Sequence, residues 1–227
     1  MTEPMSPEQL FKTAKGVIFD FDGTIIDTES AGLASWRRTY QDYKAELPLE
    51  KYITCVGSGF GSFHPAKHLI EISDCTLSVD EIIALKNTYK SKMCEDLQVS
   101  KGMMSLIQNL HQNQKKMIIA SSSSVSWVTS HVNRLELSKY FSKIIGKDLV
   151  SKVKPDPELF ELAQKELQLS ASECLVLEDS KNGILASLAA KIPAIALPNP
   201  VTKHSDLSMA MLTIHNHDEL SKIKISV

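Results

Sequence analysis

The stretch GVIFDFDGTIIDTES, residues 16–30, decides how the rest of the chain is read. Its first half is apolar and rich in β-branched and aromatic residues, the signature of a buried strand, so residues 16–21 are expected to form one. The run ends in two acids, Asp20 and Asp22, followed by Gly23 and Thr24. Three similar runs lie further on, MIIA at 117–120, CLVL at 174–177 and AIAL at 194–197, with a weaker one at 143–145. Helix-like segments separate them, at 103–114, 125–137, 157–167 and 182–190. Strands alternating with long helical segments imply βαβ units and a parallel sheet. Strands that are apolar throughout imply a sheet covered on both faces. The expected fold class is therefore α/β, with a Rossmann-like parallel-sheet core.

One region breaks this rhythm. Residues 28–96 contain no run that reads as a buried strand, only helical stretches at 30–43, 65–72 and 79–94 joined by polar or glycine-bearing loops. This reads as an all-helical insertion after the first strand.

Composition narrows the function classes. The 227 residues suit one large domain or a core with a smaller insert. At 43% hydrophobic and 23% charged, the chain has ample material for a core. A formal net charge of −2 gives no electrostatic case for nucleic acid or an anionic membrane. No apolar run is long enough to span a bilayer, and residues 1–15, with acids and prolines, do not read as a signal peptide. Cys55, Cys75, Cys94 and Cys174 form no C-x-x-C pair, which argues against a zinc site or disulfide framework and fits a reducing compartment. The cytoplasm is the expected location, and a monomer or weak dimer the expected state.

In parallel α/β sheets, ligands bind outside the carboxyl ends of the strands, so the residues that follow each apolar run locate the site. Asp20 and Asp22 follow the first run and Ser121 follows MIIA; Glu178 and Asp179 follow CLVL, and Lys154 precedes a helix in VKPDPELF. Four carboxylates gathered at one edge call for a hard cation such as Mg²⁺, which also offsets repulsion between a carboxylate nucleophile and a phosphate dianion. Gly23 permits close backbone approach and offers its N–H to phosphate. Lys154 supplies a point charge, and Ser121 a hydroxyl, for phosphoryl oxygens. Each residue also has a plainer reading: turn acids for Asp20 and Asp22, helix N-terminal acids for Glu178 and Asp179, an N-cap for Ser121, a surface lysine for Lys154. His64 and His68, four apart on a helix, have the spacing of a metal pair, but such histidines are more often surface or packing residues.

Taken together, DFDGT (20–24), the serine after MIIA, the lysine of KPDPELF and EDSKNG (178–183) resemble the four motifs of the haloacid dehalogenase-like hydrolase superfamily, in the right order. The flanking phrases GVIFDFDGTIIDTES and IIASSSS are most similar to its β-phosphoglucomutase and sugar-phosphatase branch. The resemblance implies a catalytic core of residues 1–27 and 97–227 with a helical type-1 cap at 28–96. It implies that Asp20 is the nucleophile forming an aspartyl-phosphate, and that Asp22 is the acid and base whose backbone carbonyl joins Asp20 on Mg²⁺. Asp179 completes the metal shell with Glu178 as a supporting ligand, Lys154 bridges Asp20 and phosphate, and Ser121 binds phosphate. Gly23, Thr24, Ser122, Ser123 and Asn182 are the implied substrate contacts, and the substrate a small phosphorylated metabolite. Dehalogenation is not implied, because an acid at the position of Asp22 serves an alkoxide leaving group and a halide needs no proton.

Phosphatase and mutase differ in the acceptor the cap admits. β-Phosphoglucomutases typically carry a histidine five residues beyond Asp27, where this chain has Gly32, and an arginine in the cap loop, where VGSGFGSF (56–63) has no basic residue. Both departures favour water as acceptor and hence a phosphatase. A catalytically silent binding protein on the same scaffold is the alternative of a different class, disfavoured by the intact acid pair.

Overall fold

The computed structural model describes residues 5–57 and 63–225. Six parallel strands form one sheet in the order β3-β2-β1-β4-β5-β6: β1 (Gly16–Phe19), β2 (Lys116–Ala120), β3 (Ile144–Ile145), β4 (Cys174–Glu178), β5 (Ala194–Ala196) and β6 (Leu212–Thr213). The first strand lies at the centre, with Val17 opposite Met117 on one side and Leu175 on the other.

The unbroken apolarity of the strands has a direct cause. Val17, Phe19, Met117, Ile119, Leu175, Leu177 and Ile195 point into one hydrophobic layer, and Ile18, Ile118, Ala120, Val176, Ala194 and Ala196 into the other. Alternate side chains of each strand thus enter two different cores. The first layer is closed by α1 (Pro7–Thr13), α6 (Met103–Gln112) and α7 (Val125–Arg134); the second by α8 (Glu158–Leu167) and α9 (Lys181–Ala189). Helix α6 shows how: Met103, Leu106, Ile107 and Leu110 recur at helical spacing and are all fully buried. Each such side chain contributes roughly 1.5–3 kcal/mol of transfer free energy.

The expected helices and strands are present with ends displaced by a few residues; the 16–21 run stops being strand at Phe19, leaving Asp20 and Asp22 free to turn away from the ladder. Helix α1, whose Ser6 capping box and buried Leu10 and Phe11 anchor it, was not anticipated, nor were the short helix α3 (Leu49–Ile53) and strand β6. Helices α2 (Thr28–Asp42), α3, α4 (Pro65–Ile72) and α5 (Val79–Cys94) lie between β1 and β2 in sequence and share a third core around Trp36, Tyr40, Leu69 and Ile82. Among the described residues, no helix is long and apolar enough to cross a membrane.

Candidate active site

Asp20 leaves β1 at its carboxyl end, its N–H donating to Leu177 O at 2.9 Å, so the last rung of the sheet aims its carboxylate. Lys154 arrives from the loop before α8, which Glu158 ties down by accepting from the N–H groups of Ser151 and Lys152 at 2.9 Å. The Lys154 ammonium is buried, donates to Asp20 Oδ1 and reaches Glu178 Oε2 at 2.8 Å. Burial opposes its charge, but Asp20 and Glu178 outweigh burial and hold its pKa above the ordinary lysine range.

Asp20, Glu178 and Asp179 are all buried, and each offers an oxygen within 4.8 Å of the others. Burial and the neighbouring Glu178 push the Asp20 carboxyl well above its usual range; burial, Glu178 and Asp20 do the same to Asp179. One lysine cannot neutralise three acids, and Asp20 Oδ2 is buried with no hydrogen-bond partner. An orphaned carboxylate oxygen amid excess negative charge fits a divalent cation bound through oxygen. Glu178 is differently placed: Oε2 accepts from Lys154, and Oε1 from the N–H of Ser180 at 3.0 Å and its hydroxyl at 2.7 Å.

Asp22 is surrounded by donors. Thr28 Oγ1 donates to its Oδ1 at 2.7 Å, Trp127 Nε1 to the same oxygen at 3.1 Å, and Ser121 Oγ to Oδ2 at 3.1 Å. Lys90 of α5 lies 3.8 Å from Oδ1 and above the Trp127 ring, 5.2 Å from its centroid. Burial alone would raise the Asp22 pKa, but Lys90, Thr28 and Trp127 outweigh it and lower it. The carboxylate is thus held ionised.

Asp20, Asp22 and Ser121–Ser123 line a cavity of about 170 Å³ together with Glu29, Trp36, Tyr52, Lys86 and Lys90 from the helical insertion. Ser122 and Ser123 thus lie where substrate contacts are expected, with the Ser122 hydroxyl donating to Gly57 O at 3.2 Å. Three other expected substrate contacts also have partners within the chain. The Gly23 N–H closes the turn onto Ile26 O at 2.7 Å, and Thr24 is buried with its hydroxyl 3.4 Å from Asp179 Oδ1. Asn182 donates to Val56 O at 2.8 Å, tying α9 to the helical insertion.

The loop 56–63 carries no basic residue, but another part of the insertion brings cations to the cavity. Residues 58–62 of the VGSGFGSF loop lie outside the described residues, but Lys86 and Lys90, one turn apart on α5, put two ammonium groups at the cavity wall. The spacing was visible; what it faced was not. The place of the mutase histidine, Gly32, is bordered by the Tyr52 hydroxyl, 3.2 Å from where a Cβ would stand. Also missed were Glu29, whose carboxyl burial raises to about 7, and Asn199, which follows β5 and bonds Asp179. His64 caps α4, and His68 lies 3.0 Å from the Tyr40 hydroxyl; neither joins an acidic or thiol cluster among the described residues.

Comparison with known proteins agrees with this geometry. The family model described as "Haloacid dehalogenase-like hydrolase" matches residues 17–197. A Bacillus subtilis (strain 168) protein named "Putative phosphatase YhcW" is 34% identical over 188 residues, covering 83% of this chain and 85% of that one. The fructose-1-phosphate phosphatase YqaB of Escherichia coli (strain K12) is 26% identical over 186 residues, 82% of this chain and 97% of its own. In fold, a crystal structure of β-phosphoglucomutase from Clostridium difficile superposes with a TM-score of 0.73 at 22% identity, covering 91% of this chain and 93% of that one. The match runs from the first strand through the fifth and takes in all four clustered motifs: this chain belongs to the haloacid dehalogenase-like hydrolases.

Proposed function

We propose that this protein is a Mg²⁺-dependent phosphatase for small phosphate monoesters, phosphorylated sugars or related metabolites, acting through an aspartyl-phosphate on Asp20. The observation that carries the reading is that Asp20, which lines one cavity with Asp22, has a buried Oδ2 with no hydrogen-bond partner. The Asp20 and Asp179 carboxylates and the Asp22 backbone carbonyl would hold Mg²⁺, with Glu178 behind them. When bound, the ion neutralises the charge that otherwise repels a phosphate dianion.

Asp20 attacks phosphorus with a carboxylate oxygen, and the bond from phosphorus to the ester oxygen breaks. Asp22 gives its proton to that departing oxygen; then, as carboxylate, it takes a proton from the water that attacks the phosphorylated Asp20, and inorganic phosphate leaves. The resting contacts hold Asp22 in the basic form, and the arrival of an anionic substrate beside it raises its proton affinity for the acid step. Lys154 holds Asp20 in place and, with Ser121, faces the phosphoryl oxygens. Residues 28–96 act as the cap that closes over this chemistry, and the four buried cysteines, none of them in a disulfide, fit a cytoplasmic location.

A second reading, transfer to a sugar acceptor instead of water, draws support from Lys86 and Lys90, the cap cations such a reaction needs. Against it, each lysine shares the cavity with a carboxylate, Asp22 or Glu29. A panel of sugar, polyol and nucleotide monophosphates with Mg²⁺, followed for phosphate release, separates the two. Release from some members supports the phosphatase; isomerised sugar phosphates without release overturn it.

A further inference from the structure

Asn199 lies just beyond the end of β5, 4% exposed, with no part in the proposed chemistry. Its Oδ1 accepts the backbone N–H groups of Val201 at 2.9 Å and Thr202 at 3.0 Å. Those two donors settle which end of the amide is oxygen, so the other end is the NH₂ group. Nδ2 donates to Asp179 Oδ2 at 2.7 Å and lies 3.4 Å from Gly23 O. The contact is closed in by the turn after β1: a Cβ at Gly23, whose φ is +93°, would stand 2.5 Å from Asp179 Oδ2 and 2.7 Å from Asn199 Nδ2. A third strand end thus reaches into the acid cluster and fixes the rotation of one carboxylate.

We infer that Asn199 is a positioning residue for the cation site: its amide, locked by the Val201 and Thr202 N–H groups, orients the Asp179 carboxylate for Mg²⁺. The inference rests on the metal reading given above. Outer groups that orient metal-binding carboxylates change affinity by about tenfold to a hundredfold when removed. The Asn199 side chain does two jobs, and substitution separates them. In Asn199→Ser the hydroxyl still accepts from the turn but is too short to reach Asp179, whereas Asn199→Ala loses both contacts.

The test is Mg²⁺ binding without substrate, read as thermal stabilisation across a Mg²⁺ titration. The expected result is that Asn199→Ser melts near the wild type without metal yet needs at least about tenfold more Mg²⁺ for the same stabilisation. Asn199→Ala should show the same weakening on a lower starting stability. Should Asn199→Ser not fold, Asn199→Thr presents the same hydroxyl and carries the same comparison. Wild-type affinity in the Ser or Thr variant overturns the positioning role and leaves the metal reading standing. Absence of any Mg²⁺ stabilisation in the wild type overturns both.

Discussion

Replacing Lys90 by methionine removes a charge from the helical insertion while keeping its length and apolar stem, and the consequence should appear at Asp22. The pair is separated by 3.8 Å, and the side chains are 18% and 12% exposed. A unit pair at that distance interacts by about 4 kcal/mol at an effective dielectric near 20. Screening by water at a partly exposed site, and the remaining Thr28, Ser121 and Trp127 bonds, reduce the net loss to about 1–2 kcal/mol, or about one pH unit in a titration midpoint. The sign follows from charge: without the cation the carboxylate form is less favoured, so Asp22 keeps its proton to higher pH. Because the native pKa is lowered, the pair stabilises the fold above the ordinary aspartate range and ceases to do so as pH falls. The stability difference between Lys90→Met and wild type should therefore shrink on acidification. Trp127 provides the assay, since its indole N–H donates to Asp22 and its NMR resonance follows the state of that carboxylate. Trp36→Phe assigns the resonance, the chain having two tryptophans. Asp22→Asn separates the Asp22 step from that of His131, whose ring is 4.4 Å from that of Trp127. With Mg²⁺ throughout, the midpoint should rise by about one unit in Lys90→Met and return in Lys90→Arg. An unmoved midpoint in Lys90→Met, or an equal rise in Lys90→Arg, refutes the reasoning.

Two further substitutions probe the frame around the site. Lys154→Met leaves Asp20, Glu178 and Asp179 without their shared cation and should destabilise the metal-free protein by about 3–5 kcal/mol in denaturant unfolding, with part of the loss restored by Mg²⁺. Gly57→Ala puts a side chain at φ +78°, with its Cβ 2.1 Å from Ser180 Oγ, where the insertion meets the core. The strain and the clash should raise KM by about tenfold, read from steady-state phosphate release, while the unfolding midpoint of the core changes little.

The sheet was legible because its strands are buried on both faces and so read as plain apolar runs. The motif acids were legible because β1 and β4 end where those acids begin. Asn199 carries a weaker signal of the same kind, standing just beyond AIAL in PNP, a stretch with no acid or cation to mark it. Gly23, Thr24 and Asn182 are implied substrate contacts only because they sit inside motifs; that their groups also close a turn, support Asp179 and hold Val56 is set by the fold. Lys86 and Lys90 illustrate a harder limit. Their i, i+4 spacing places them on one face of α5, but which face meets Asp22 depends on how that helix packs against α2, a tertiary fact that no local pattern encodes.

The central claim is that Asp20 becomes phosphorylated during turnover. Acid-quenching the protein with Mg²⁺ and a hydrolysed phosphate ester, then reducing with borohydride, converts an acyl phosphate to an alcohol that peptide mass spectrometry can place. The expected result is homoserine at position 20, absent without substrate and absent in Asp20→Asn, which should also release no phosphate. Phosphate release that persists in Asp20→Asn, or an acyl phosphate at another carboxylate, would contradict it.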